Sequence, residues 1–380
     1  MRKKMFLRSL LVFVASIYLC CAGKTHAAEP KYTWLIEPKY EHGYRFSEGL
    51  WGVKKDGLAG YVDSADNVVI DFKYLAGRPF QGGMAFVSSS KDESRKLDKE
   101  ILGIINKNGE YIIEPYPGLK PYVFKMDEGT VLFPFRSMEG KYGFLDLSRD
   151  VKISAVYDDV WTYLGMRIPS GGTILSVKSG DFWGMIDAQG QWLIPPSYKN
   201  ALIPWNGYIP FFKDGLWGLM NIKEEIILEP RRQIFARERD GNSPLRVMVA
   251  DDRKIGFLDE TLEYLIEPTF NARDGGSANG IYRGGIAFVE ASSMYVALDE
   301  KGNVAFQIPQ SSASPMPHGG NNVKGYYVMA ENDKSGKEYF LVNKRGERVL
   351  PADFDYIIPS EEGIIAVKQN DLWGLIDLRQ

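Results

Sequence analysis

A short pattern, an aromatic or apolar residue followed by Gly, two apolar residues and Asp or Asn, returns nine times along the 380 residues. A chain with that much self-similarity folds as an array of like units, each burying its apolar face against a neighbour. The clearest copies are Trp183-Gly184-Met185-Ile186-Asp187, Trp217-Gly218-Leu219-Met220-Asn221 and Trp373-Gly374-Leu375-Ile376-Asp377. The closing residue falls at Asp63, Asn106, Asp146, Asp187, Asn221, Asp259, Asp299, Asn343 and Asp377, spaced 34 to 44 residues apart. Gly holds at seven of the nine, Val296 and Phe340 being the exceptions. Variable spacing around a constant kernel means that the connecting loops differ while the packed unit does not.

Each unit reads as three strands. An alternating stretch such as residues 363–368 is followed by the motif strand and then by a β-rich run such as residues 111–115. The first turn is Lys55-Asp56-Gly57, Lys178-Ser179-Gly180 or Lys213-Asp214-Gly215, a tight loop ending in a Gly that can take positive φ. The second turn starts at the anchor Asp or Asn and often has Gly three residues on, as in Asn106/Gly109 and Asp187/Gly190. That is type I turn chemistry, in which the anchor oxygen accepts a backbone N–H, so these carboxylates have a structural purpose. The third strand ends in Pro with an aromatic two residues later: Pro38/Tyr40, Pro196/Tyr198, Pro268/Phe270. Pro cannot donate to a ladder, and the motif Gly inside a strand marks a close approach by a neighbouring backbone or ring. No helical period persists, so the expected fold is all-β.

The recurring Trp-Gly, its continuation to Asp and the following Ile-x-Pro-x-Tyr resemble the WG-repeat family of bacterial β-repeat proteins, from Trp34 to Gln380. Trp itself fills the motif position only at Trp183, Trp217 and Trp373; Ala59, Leu102, Tyr142, Ile255, Tyr295 and Tyr339 stand there elsewhere. The resemblance implies a β-repeat scaffold that presents binding surface, with no general catalytic motif to carry onto this chain. Residues 34–40 read as a lone third strand, and residues 363–378 as a hairpin with no third strand after it. Joined, they would complete a unit. The expected architecture is therefore a tandem array of about nine three-stranded units with propeller-like closure, an open superhelical β-solenoid being the alternative.

Arg2, Lys3, Lys4 and Arg8 precede an apolar run at residues 10–19, and Thr25-His26-Ala27 offers small residues for cleavage. This order predicts a signal peptide over residues 1–27 and a single array over residues 28–380, secreted or extracytoplasmic in the cell envelope. The run is short of the roughly 20 residues of a spanning helix, so no membrane insertion is expected after its removal, a retained anchor being the alternative. Removing it takes away five basic residues and no acid, which moves the net charge from -3 to -8. An acidic chain without a basic block is a poor match for nucleic acid. Cys20 and Cys21 go with the segment, leaving no disulfide, thiol nucleophile or thiolate metal site.

Two histidines then remain, His42 and His318. Zinc needs three or four convergent ligands, a Ser–His–acid triad would have to use one of these two, and no Gly-x-Ser-x-Gly elbow occurs. The acidic turns at 63–67 and 332–338 do not match a twelve-residue calcium loop. No catalytic, cofactor or metal residue is expected, and Trp183, Gly184, Asp187, Trp217, Gly218, Asn221, Trp373, Gly374 and Asp377 are read as structural. Trp161, Trp192, Trp205, Tyr163 and Tyr208 fall outside the motif near loops. They are candidates for stacking on a sugar or packing on a protein, with local packing between repeats as the plainer reading. Residues 91–100 and 311–322 read as surface loops. The functional expectation is a non-enzymatic exported interaction module that binds a protein or a cell-envelope glycan through inter-repeat loops. The alternative is a propeller-like hydrolase using carboxylates from several repeats.

Overall fold

Tight reversals organise the chain. Asp56-Gly57 and Asp214-Gly215 take positive φ at both positions, 50° and 78° in the first and 53° and 83° in the second, which is the type I′ geometry that matches strand twist. The computed structural model describes residues 32–379 apart from 92–99, 126–130, 162–165, 168–172, 203–207, 233, 238–246, 252–253, 260, 272–283, 316–322, 324 and 332–337. The signal peptide expected over residues 1–27, His318, and most of the loops at 91–100 and 311–322 lie outside the described residues. Among the described residues every regular element is a strand, and no helix is long and apolar enough to cross a membrane.

The strands group into nine antiparallel sheets of three to five strands. In chain order, the first sheet holds His42–Ser47, Leu50–Lys55, Leu58–Val62 and Val68–Tyr74, paired in that sequence from one edge to the other. The same meander repeats through the ninth sheet. Most sheets thus carry a strand that the three-strand grammar leaves out, running before the alternating stretch; the fifth and seventh have three strands among the described residues. The extra strand corrects the expected three-stranded unit. It is often only two or three residues long, as at Ala76–Gly77, Asp159–Val160 and Tyr356–Ile358, and so short a run displays no alternation in sequence.

The motif strand explains its Gly. In the fourth sheet Trp183 pairs with Tyr198 and Met185 with Ile194, so the outermost strand carries two extra residues, Pro195 and Pro196 among them, in a bulge. A Cβ on Gly184 would stand 2.6 Å from the Ile194 carbonyl oxygen and 2.7 Å from the Trp192 ring. The same backbone contact recurs at Gly60, Gly103, Gly143, Gly218, Gly256 and Gly374. Where Val296 replaces Gly, in the seventh sheet, Tyr295, Val296 and Ala297 pair residue for residue with Ile308, Gln307 and Phe306, and the bulge at that point is gone. Bulges and prolines also blunt the outer edge against pairing with other strands.

The core is divided among the sheet boundaries. Ile70, Tyr74 and Tyr61 of the first sheet pack with Phe80, Val87 and Ile105 of the second. Ile174, Met185 and Ile194 of the fourth pack with Ile209, Phe211 and Met220 of the fifth. Phe288 and Phe306 of the seventh meet Tyr327, Met329 and Phe340 of the eighth. The two chain ends join the same scheme. Thr33–Tyr40 pairs with Leu372–Asp377, with Thr33 opposite Asp377 and Tyr40 opposite Trp373, and so completes the ninth sheet as its outer strand. Ile36, Tyr40, Ile364, Ala366 and Trp373 of that sheet then pack against Phe46, Trp51 and Val53 of the first.

Candidate functional site

The anchor carboxylates and amides all point into their own turns. Asp63 Oδ1 accepts the backbone N–H of Ala65 and Asn67. Asn106, Asp146, Asp187, Asn221, Asp259, Asp299 and Asn343 accept in the same way from the residues two and four positions on. Asp377, at the end of the series, accepts from Arg379 N–H and from its guanidinium. Its carboxyl is held below the usual range, chiefly by that side-chain hydrogen bond.

The aromatic that follows Pro reaches across to the next sheet. Tyr40 O–H donates to Asp66 at 2.7 Å and Tyr198 O–H to Glu224 at 2.7 Å, each acceptor lying three residues past an anchor. Tyr74 lies toward Gly109 in the same relation, its hydroxyl 3.5 Å from the carbonyl oxygen. Burial, and then the acceptor carboxylate, push the Tyr40 and Tyr198 hydroxyls well above the ordinary tyrosine value. Burial pushes Tyr74 up to about 12. These contacts staple neighbouring sheets together.

Trp183 and Trp373 are buried, whereas Trp217 is only half-buried, against the exposed ring of Phe212. Of the non-motif aromatics, Tyr163 and Trp205 lie outside the described residues. Trp161 and Trp192 sit at opposite edges of the fourth sheet, four strands across, hence about 14 Å apart at the usual strand spacing. Trp161 is half-buried with its ring edge-on to Trp183, 6.4 Å between centroids. Trp192 packs over Gly184 and edge-on to Tyr157, and still leaves 40% of its surface exposed. Tyr208 is half-buried beside Leu219 and Leu258. These three therefore do not converge on one sugar-binding platform.

Sequence reasoning placed the outer strands but missed the apolar side chains left exposed at their openings. Val68 and Val69, Val151, Trp192 and Leu193, Ile226 and Ile227, and Val304 occupy the opening of the outermost strand in five different sheets, and each is 40–52% exposed. The signal was available as an apolar pair following six of the nine anchor turns, but alternation alone does not say which face a neighbour covers. No group of three or more His, Cys, Asp or Glu side chains could hold a metal among the described residues. Acids brought close together are engaged already: Asp355 accepts the Asp371 N–H, and Glu362 accepts from Glu48 N–H. His42 lies against the rings of Tyr44 and Trp373.

Four stretches, residues 30–58, 60–89, 183–217 and 339–373, match the family model described as WG containing repeat. No curated protein sequence matches the chain. Among solved structures, the crystal structure of the eukaryotic initiation factor is similar with a TM-score of 0.50 at 10% identity, over 85% of this chain and 89% of that one. Kluyveromyces lactis Hsv2 has a TM-score of 0.38 at 11% identity, over 77% and 93% of the two chains. The dihydro-heme d1 dehydrogenase NirN, in complex with DHE, has a TM-score of 0.38 at 11% identity, over 79% and 72%. The first of these is a propeller-like protein, and at 10% identity the likeness concerns the fold alone.

Proposed function

We propose that this chain, which is a WG-repeat protein, is a non-enzymatic binding module whose nine sheets form a propeller-like ring and whose outer strands hold a protein partner. The pairing of Thr33–Tyr40 with Leu372–Asp377 and the packing of that sheet on the first support the ring. The basic and apolar order of residues 1–27 supports export to the cell envelope.

One observation carries the choice of partner: apolar side chains stay exposed at the same place in the outermost strand of five sheets. Scattered exposed apolar residues are ordinary, but recurrence at one register position is not scatter. The exposed side chains are mainly Val, Ile and Leu, which suit a protein surface, whereas sugar rings favour flat aromatic faces. The engaged carboxylates and amides favour binding over hydrolysis.

The test is photo-crosslinking in the native host. A photoreactive residue at position 69, 193 or 227 is expected to give an adduct with one and the same protein, and one at the hairpin position 213 is not. Ile226→Lys with Ile227→Lys is expected to abolish the adduct formed at 193. Absence of adducts at all three outer-strand positions would overturn the proposal.

A further inference from the structure

Two sheet boundaries share a carboxylate clasp. Glu48, in the turn before Leu50–Lys55, reaches the second sheet and accepts the backbone N–H of Gly82 at 2.5 Å and of Gly83 at 3.0 Å. Lys107, one residue past the Asn106 anchor, closes the clasp with an ion pair to Glu48 at 3.2 Å and a hydrogen bond to its carbonyl at 3.0 Å. Burial pushes the Glu48 carboxyl up, but the Gly83 amide, Lys107 and the Gly82 amide together outweigh it and hold it below the usual carboxylate range. Glu362, at the same turn position in the ninth sheet, accepts from Glu48 N–H at 2.5 Å and Gly49 N–H at 3.3 Å.

The boundary between the seventh and eighth sheets keeps the receiving half of this clasp without the giving half. Val323 bridges Tyr326 just as Gln81 bridges Met84, which makes Gly325 the counterpart of Gly83. Asn343-Lys344-Arg345-Gly346-Glu347 repeats Asn106-Lys107-Asn108-Gly109-Glu110, which makes Lys344 the counterpart of Lys107. On the giving side, Arg283-Gly284-Gly285-Ile286 aligns with Ser47-Glu48-Gly49-Leu50, so Gly284 stands where Glu48 would be. The backbone agrees: φ is 60° at Gly284 and 54° at Glu48. The two sheets touch at this level, since Tyr327 O–H donates to the Gly284 carbonyl at 3.0 Å.

Gly325, Tyr326, Asn343, Lys344 and Arg345 line an open cavity of about 390 Å³. Lys344 is exposed, and no ion pair engages it among the described residues. Arg345 is turned onto Glu347. The Glu300 carboxylate lies beside Gly285 but is not part of the lining.

We infer that this cavity is a carboxylate-binding site, in which the Lys344 ammonium and the Gly325 backbone N–H receive an acidic group supplied by a ligand, as Lys107 and Gly83 receive Glu48. The acidic group is either a side chain of a bound peptide or a free small carboxylate. The site uses none of the exposed outer-strand residues, so it stands or falls independently of the partner surface proposed above.

Saturation-transfer NMR on the mature chain tests it, with acetate and with the capped peptide Ac-Gly-Glu-Gly-NH2 as probes. Lys344→Met and Gly284→Glu are each expected to weaken binding at least about fivefold, the first by removing the cation and the second by filling the cradle from within. Glu48→Gly is expected to create a second site at Gly82, Gly83 and Lys107. A peptide held several-fold tighter than acetate assigns the site to a partner's side chain, and equal affinities assign it to a small carboxylate. Binding by neither probe, or unchanged binding in both Lys344→Met and Gly284→Glu, overturns the inference. Should Gly284→Glu fail to fold, Lys344→Met decides alone, because its exposed side chain has no packing to lose.

Discussion

Removing residues 33–40 asks whether the array is a ring. The strand is the outer member of the ninth sheet, and it buries Ile36 and Tyr40 to 3% and 4% exposure. Fully burying a large apolar side chain contributes about 1.5–3 kcal/mol, so these two account for about 3–6 kcal/mol as an upper estimate. That is a large share of the roughly 5–15 kcal/mol that holds a typical domain. Tyr40 also packs on Trp51 and Phe72 of the first sheet and donates to Asp66 there, so its loss loosens two sheets at once. In a chain of this size the expected fall in melting temperature is on the order of 5–10 °C. Hydrogen exchange supplies the sharper readout. A ring requires faster exchange both in Leu372–Asp377, which loses its sheet partner, with Ile364–Gln369 paired beside it, and in His42–Ser47 and Leu50–Lys55, which lose their packing. An open stack couples only nearest neighbours along the chain and frays at one end. Faster exchange confined to residues 42–74, with 364–377 unchanged, would refute the ring.

Two further outcomes follow from single positions. Gly256→Ala places a Cβ 2.7 Å from both the Ile266 carbonyl oxygen and the Pro268 nitrogen, which are backbone atoms that cannot swing aside, so it is expected to cost about 1–3 kcal/mol in a denaturant melt. An unchanged midpoint would mean that the outer strand yields and that the motif Gly has another purpose. Asp377 has a depressed folded-state pKa, so its contribution is present above the unfolded value near pH 4 and is lost as pH falls through the folded value. Asp377→Asn is expected to flatten the loss of stability as pH falls below about 4; an acid limb as steep as that of the unsubstituted chain would show that Arg379 adds nothing there.

The sequence displays what repeats and hides what depends on geometry. The nine anchors are legible because one chemical demand, a backbone N–H two residues on to satisfy in each turn and in eight of them a second one four residues on, selects Asp or Asn every time. The junction of the chain ends is legible for a similar reason: a third strand without a hairpin and a hairpin without a third strand have unpaired edges that suit each other. The strand preceding most alternating stretches escapes notice because a pair such as Asp159–Val160 has no period. The partial exposure of Trp217 escapes for another reason. Its motif position is the same as that of Trp183, and only the neighbours decide: Trp183 is covered by Trp161, whereas the exposed Phe212 ring lies beside Trp217. The Glu48 clasp escapes because donor and acceptor lie 34 residues apart, on turns whose relation exists only after the sheets pack.

Repetition also separates scaffold from function within a single chain. A residue type kept at every equivalent place answers to folding, as the anchor oxygens do in all nine turns. A feature kept on one side of a boundary and dropped on the other answers to something else. Lys344 and Gly325 repeat the receiving positions of Lys107 and Gly83, with Asn343 and Gly346 of the anchor turn matching Asn106 and Gly109, yet the partner position is Gly284. The packing around it is intact, since Phe288, Tyr327 and Met329 form a buried cluster across that same boundary. The sheets are therefore held together there by apolar contact and by the Tyr327 hydrogen bond to Gly284, and the polar half-clasp is left to bind what comes from solution.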